Sequence, residues 1–100
     1  MKVNDEIREY VKKVAYDFFA TECEIDVSEI SDTTNIIDDL DGDSLMFLEL
    51  IELFKKKYDL DIELKTIGKY NAKHPVHTIG ELIETQLLII EHGNRITDFA

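Results

Sequence analysis

The chain is 100 residues long, 44% hydrophobic and 33% charged, with a formal net charge of −11. That length supports one modest core and excludes a multi-layer enzyme, and the composition excludes a disordered tail. One proline, four glycines and a single cysteine, Cys23, argue against a loop-rich or disulfide-stapled fold, and nothing suggests an oxidising compartment.

The charge is clustered. Residues 14–54 hold twelve acids and no Lys or Arg, whereas the other 59 residues hold ten acids and eleven bases. A field of that sign repels nucleic acid and anionic membrane surfaces and steers basic protein surfaces toward the acidic segment. The opening Met1-Lys2-Val3-Asn4-Asp5-Glu6 runs straight into a charged amphipathic pattern, without the form of a signal peptide. The longest apolar run, Leu87-Leu88-Ile89-Ile90, is far short of a membrane span. The expectation is a cytoplasmic protein with no nucleic-acid partner and no membrane insertion.

A first helix is expected from residue 4 to about 21, where Ile7, Tyr10, Val11, Val14, Ala15, Phe18 and Phe19 recur at three- and four-residue spacing. Asn4 reads as its N-cap, with Asp5 and Glu6 complementing the positive end of the dipole. A long connection over 22–43 follows, punctuated by Ile25, Val27, Ile30, Ile36, Ile37 and Leu40, with one short helical turn at Ser28 to Ser31. Connections of this length inside a small domain are usually functional.

The second helix is expected from Ser44 to about Tyr58, with Asp43 as N-cap and Gly42 freeing the backbone before it. Steps of about 100° put Met46, Phe47, Leu50, Ile51, Leu53, Phe54 and Tyr58 on the buried face. Glu49, Glu52, Lys55 and Lys56 mark the solvent face, and Leu45 and Leu48 fall among them as a docking patch. A short third helix is expected around Lys65 to Tyr70, ended by Asn71-Ala72-Lys73-His74-Pro75. The last helix opens on the capping box Thr78-Ile79-Gly80-Glu81 and carries Ile79, Leu82, Ile83, Gln86, Leu87 and Ile90 inward. Gly93 stops it, and the tail from Asn94 to Ala100 has little periodicity and is expected to fray. The expected units are a domain over 1–93 and a tail over 94–100.

Chemistry concentrates at Asp38-Asp39-Leu40-Asp41-Gly42-Asp43-Ser44-Leu45. Because Asp43 already serves as cap, Ser44 is free for another use. The letters Gly42-Asp43-Ser44-Leu45 match the signature of the GDSL lipases and esterases, but such enzymes need a base, an acid and an oxyanion hole on a sizeable α/β scaffold, which this length does not provide. An EF-hand reading fails in both registers: Gly42 at loop position 6 puts Ile37 at position 1, and starting at Asp39 puts Leu50 at position 12. Cys23, His74, His77 and His92 lack zinc-ligand spacing, so Cys23 reads as a buried or half-buried residue and His74 and His77 as loop residues.

The pattern Asp39-Leu40-x-x-Asp43-Ser44-Leu45, after the apolar loop residue Ile36 or Ile37 and leading into a helix, resembles the acyl carrier protein family. The succession of helices extends the resemblance from residue 3 to about 92. It implies an all-α fold, a small four-helix bundle with a long loop between helices 1 and 2 and a short third helix. It further implies that Ser44, between Asp43 and Leu45, receives 4′-phosphopantetheine from coenzyme A through a separate phosphopantetheinyl transferase. The arm's thiol then holds acyl intermediates as thioesters for fatty-acid or specialised lipid synthesis, and the carrier itself is not an enzyme. Leu45, Leu48, Glu49 and Glu52 match the family's partner face, which meets acyl-loading and acyl-transfer enzymes through their basic docking surfaces. The alternatives are a carrier of polyketide, aminoacyl or peptidyl groups and an unmodified helical interaction module.

Three departures stand out. Asp41 occupies the family's usual glycine position, with Gly42 following it; Lys55-Lys56-Lys57 replaces acids at the end of the second helix; and the link to the last helix is long. The last two point to a carrier with partners of its own.

Overall fold

In a computed structural model the backbone is described for residues 2–42 and 44–99, and the side chains of these residues except 44 and 97–99. Four α-helices follow in order: α1 Asp5–Cys23, α2 Ser44–Tyr58, α3 Leu64–Lys73 and α4 Ile79–His92. Two 3-10 segments, Val27–Glu29 and Gly93–Phe99, complete the regular structure, and no strand occurs among the described residues beyond an isolated bridge between Asn35 and Thr78. The fold is all-α, as expected.

α1 begins where the Asn4 side chain accepts a hydrogen bond from the Ile7 N–H (2.9 Å). It buries Val11, Ala15 and Phe19, one residue per turn, and leaves Tyr10 39% exposed at the edge of the stripe. It ends two residues later than expected, on Glu24 in the left-handed region (φ 55°), whose N–H returns to the Ala20 and Thr21 carbonyls.

The connection after α1 is stitched by its backbone to the start of α4. The Ile36 N–H donates to the His77 carbonyl (2.9 Å), Ile79 to Thr34 (3.0 Å) and Gly80 to Asp32 (2.8 Å). A Cβ at Gly80 would lie 2.8 Å from the Asp32 carbonyl oxygen, so the approach requires glycine. Tyr16 of α1 donates its hydroxyl to the Asp32 carboxylate from the other side. Burial and that hydrogen bond push the Tyr16 pKa up to about 12, which keeps the hydroxyl a donor. Ile30 and Ile36 are buried beneath this clasp. The expected turn at Ser28 to Ser31 is a 3-10 turn at Val27–Glu29, because Asp26 and Glu29 form a reciprocal capping box that starts it earlier.

α4 carries the expected capping box between Thr78 and Glu81 and stops at Gly93 (φ 57°). Burial pushes the Glu81 carboxyl up, but hydrogen bonds from Thr78 and from the His77 backbone outweigh it and hold the group below its ordinary value. α3 is longer than expected at both ends. Its N-cap, Glu63, gives no side-chain cap; instead the Glu63 N–H donates to Asn94 Oδ1 (2.8 Å).

That hydrogen bond brings in the tail. The segment expected to fray is a 3-10 helix whose Ile96 is fully buried against Ile51, Ile62, Ile67, Tyr70 and Ile89. A single anchor in a 3-10 turn leaves no helical periodicity to read, which is why sequence pattern misses it. The core accordingly has two lobes. One joins α1, the loop, α2 and α4 around Phe19, Leu50, Phe54 and Leu82, and the other joins α2, α3, α4 and the tail around Ile67 and Ile96.

Two positions carry polar or conformational strain. Gln86 on α4 is 0% exposed, and neither its Oε1 nor its Nε2 has a hydrogen-bond partner. Gln86→Met fills the same space without polar atoms and should stabilise the domain by about 1–2 kcal/mol. Thermal unfolding should show it as a rise in Tm of roughly 4–8 °C per kcal/mol; an unchanged or lower Tm would mean the amide is satisfied in solution. Asp41 takes a left-handed backbone (φ 54°), and the Gly42 N–H behind it donates to the Ile36 carbonyl (2.8 Å). Asp41→Gly should therefore gain up to about 1 kcal/mol in denaturant titrations, and Asp41→Val, whose branched side chain resists this region, should lose at least as much.

Candidate functional site

The loop delivers the chain to α2 through a tight turn. Asn35 Oδ1 accepts from the Ile37 and Asp38 N–H groups (3.0 and 2.8 Å), and Asp39 Oδ2 accepts from the Asn35 N–H (2.8 Å). A Cβ at Gly42 would stand 2.6 Å from Ile36 Cγ2 and 3.3 Å from Met46 Sδ, so the turn closes onto the first residues of α2 only with glycine there. The one-residue displacement of glycine thus has a reason: position 41 takes the left-handed backbone and position 42 takes the close approach.

α2 begins at Ser44, as expected. The N-cap assigned to Asp43 and the side chain of Ser44 lie outside the described residues. Asp38, Asp39 and Asp41 are exposed around the turn, and Leu45, the next residue into the helix, is 60% exposed.

The faces of α2 differ from the sequence expectation at two leucines. Leu48, expected on the solvent face, is half-buried and packs against the lobe of Ile51, Ile67 and Ile96. Leu53, expected on the buried face, is 48% exposed. Leu48 borders the lobe that α3 and the tail complete, whereas Leu53 belongs to neither buried lobe. Glu49 and Glu52 are exposed as expected. The exposed stripe is therefore Leu45, Glu49 and Leu53, four residues apart, with Glu52 beside it. Leu53 also lines an open groove with Val14, Phe18 and Glu22 of α1.

The lysine run has local work. Lys55, Lys56 and Lys57 occupy the last turn of α2, where they complement the negative end of its dipole. Lys57 Nζ stands 5.2 Å from the centre of the Tyr10 ring, which meets Tyr58 edge-on.

Beside the start of α2 lies an apolar cavity of about 210 Å³. Ile36 and Ile37 of the loop, Phe19 of α1, Phe47 of α2 and Leu82 of α4 form most of its wall. Phe47 stands about one turn beyond Ser44. The long link to α4 contributes Pro75 and Val76, and Asn71 of α3 closes the far side.

Other reactive side chains have structural places. Cys23 is half-buried and its thiol donates to the Leu40 carbonyl (3.4 Å); burial, with Glu22 and Asp41 nearby, pushes its pKa up. His74 stacks on Tyr70 with ring centres 4.6 Å apart. Among the described residues no group of three His, Cys, Asp or Glu is placed to hold a metal ion, and no helix is long and apolar enough to cross a membrane.

A glycine-closed turn, a helix N-terminus whose free N–H groups favour an anion, and an apolar cavity thus lie together at this end of the bundle. A family model described as a phosphopantetheine attachment site matches residues 13–84. The chain is 45% identical over 97 residues to an acyl carrier protein homolog of Clostridium acetobutylicum, covering 97% of this chain and 94% of that protein. It is 31% identical over 81 residues to an acyl carrier protein of Picosynechococcus sp., covering 81% and 88% respectively. The chain belongs to the acyl carrier protein family, whose prosthetic group is covalently bound 4′-phosphopantetheine.

Proposed function

We propose that Ser44 is the attachment residue and that the chain carries acyl groups for fatty-acid or related lipid synthesis in the cytoplasm. The observation that supports this best is the turn itself: a backbone-clasped loop, closed by Gly42, that starts α2 at Ser44 beside an apolar cavity. The bound arm supplies the thiol to which the acyl group is joined. The protein supplies a fixed helix start for the phosphate, an apolar recess for the chain and a face for the enzymes that load and unload it. Activation of the serine falls to a separate phosphopantetheinyl transferase.

The partner face on this reading is Leu45, Glu49, Glu52 and Leu53, with Leu48 helping to hold α2 against α3 and the tail. Exposed apolar side chains alternating with acids fit enzymes whose docking surfaces are basic and carry a shallow apolar centre.

Two experiments test these assignments. Incubation with coenzyme A and a broad-specificity phosphopantetheinyl transferase should add one phosphopantetheine by intact mass, and Ser44→Ala should add none. A gain kept by Ser44→Ala would move the attachment elsewhere, and no gain with any transferase would leave an unmodified interaction module. Glu49→Lys should slow modification about three- to tenfold, more at low salt than at high, with Tm unchanged. Rates that do not respond to that reversal would put the docking face on another side of the domain.

A further inference from the structure

The charge of the chain is uneven in the opposite sense as well. Residues 64–80 hold three lysines, two histidines and no acid, in a chain with 22 acids. All three lysines are on α3: Lys65, Lys69 and Lys73 stand four residues apart, about 6 Å per step, on one exposed face. Leu64, Gly68 and Ala72 form a second exposed row beside them at the same spacing, with Leu64 54% exposed.

The fold itself has little use for this face. Lys73 complements the negative end of the α3 dipole, but Lys65 sits in the first turn, against the positive end, where a carboxylate would be favoured. Lys65 pairs with the exposed Glu63 (3.4 Å), and Lys69 and Lys73 have no ion pair among the described residues. Solubility does not explain them, since they bring a net charge of −11 nearer to zero. Gly68 is equally unexplained from within: glycine inside a helix is less stable than alanine, and a Cβ there would meet nothing within 4 Å. Gly42 and Gly80 are required by contacts inside the domain, whereas Gly68 leaves room only on the outside.

We propose that α3 is a docking face for an amphipathic acidic helix of a partner protein. Its carboxylates pair with Lys65, Lys69 and Lys73, and its apolar side chains lie along Leu64, Gly68 and Ala72. The absent side chain at Gly68 lets the two helices approach closely. Charge complementarity selects the sign of the partner, and extent selects its class. The lysines span about 12 Å, and screening limits their reach to about 8 Å at physiological ionic strength. A helix of two or three turns fits within that strip. A nucleic-acid duplex or an anionic bilayer laid on a domain of 35 × 28 × 20 Å would extend past it toward the acids of residues 14–54. A second copy docked α3 to α3 would set lysines against lysines. This face is separate from that of Leu45 and Glu49, and it serves whether or not Ser44 is modified.

The probe is a synthetic helical peptide with glutamates and leucines in adjacent rows, each at four-residue spacing. It is titrated into the full isotope-labelled chain, and amide chemical shifts locate the contact. Shifts should concentrate in residues 64–74, and affinity should fall several-fold between low salt and ~0.15 M. A peptide of the same composition, with its glutamates moved to the face opposite the leucines, should bind about fivefold more weakly. Lys65→Glu combined with Lys69→Glu should remove the shifts in 64–74, whereas Lys13→Glu on α1 should leave them. Gly68→Gln should weaken binding about threefold or more while Tm stays level or rises, which separates a blocked approach from misfolding. Equal binding of the two peptides, shifts centred on α1 or α2, or full affinity in Gly68→Gln overturns the proposal. Shifts in 64–74 that grow with protein concentration in the absence of peptide assign the face to a second copy and overturn it as well. Tighter binding of single-stranded DNA or of phosphatidylglycerol vesicles under the same conditions does the same.

Discussion

The domain depends on the clasp between its long loop and the first turn of α4. Three backbone hydrogen bonds, at Ile36, Ile79 and Gly80, join segments more than forty residues apart in sequence. Fixing so long a connection carries a conformational cost of about 1–2 kcal/mol per residue, which only contacts of this kind and the burial of Ile30 and Ile36 can offset. With the loop pinned, α2 starts at one place and in one direction. Without the clasp the turn before Ser44 would have no fixed relation to the rest of the bundle.

Much of this was legible in the sequence because it rests on local rules. Asn4 and Thr78 announce helix starts, the spacing of Val11, Ala15 and Phe19 announces a buried face, and Gly93 announces a stop. The clasp itself was not legible, since backbone hydrogen bonds between distant segments leave no residue signature except the glycine that permits them. Gly80 could have hinted at it: a glycine inside a capping box lowers helix propensity and invites the question of what approaches there. The tail escaped for a related reason. Ile96 is one apolar residue in an unpatterned run, and its value comes entirely from the hollow that α3 and α4 present to it.

The error at Leu48 and Leu53 follows from that omission. A helical wheel gives the centre of a buried face, but its edges are set by whatever packs from either side. Here the neighbour missing from the sequence reading was the tail, whose Ile96 completes the lobe that Leu48 borders, while no buried lobe takes in Leu53 at the other edge. The turn at Ser44, by contrast, was readable because four acids and a glycine within six residues mark it locally. Its glycine shift also became intelligible only in three dimensions, as two demands met by adjacent residues.

The hydrogen bond from Glu63 to Asn94 has a mechanical consequence. α3 forms one wall of the cavity through Asn71, and its opposite end is fastened by Asn94 and Ile96. An outward movement of α3 would have to break or strain that fastening. The residues after Gly93 thereby tie down the start of α3, so the placement of the Asn71 side of the cavity depends on a segment remote from it in the chain.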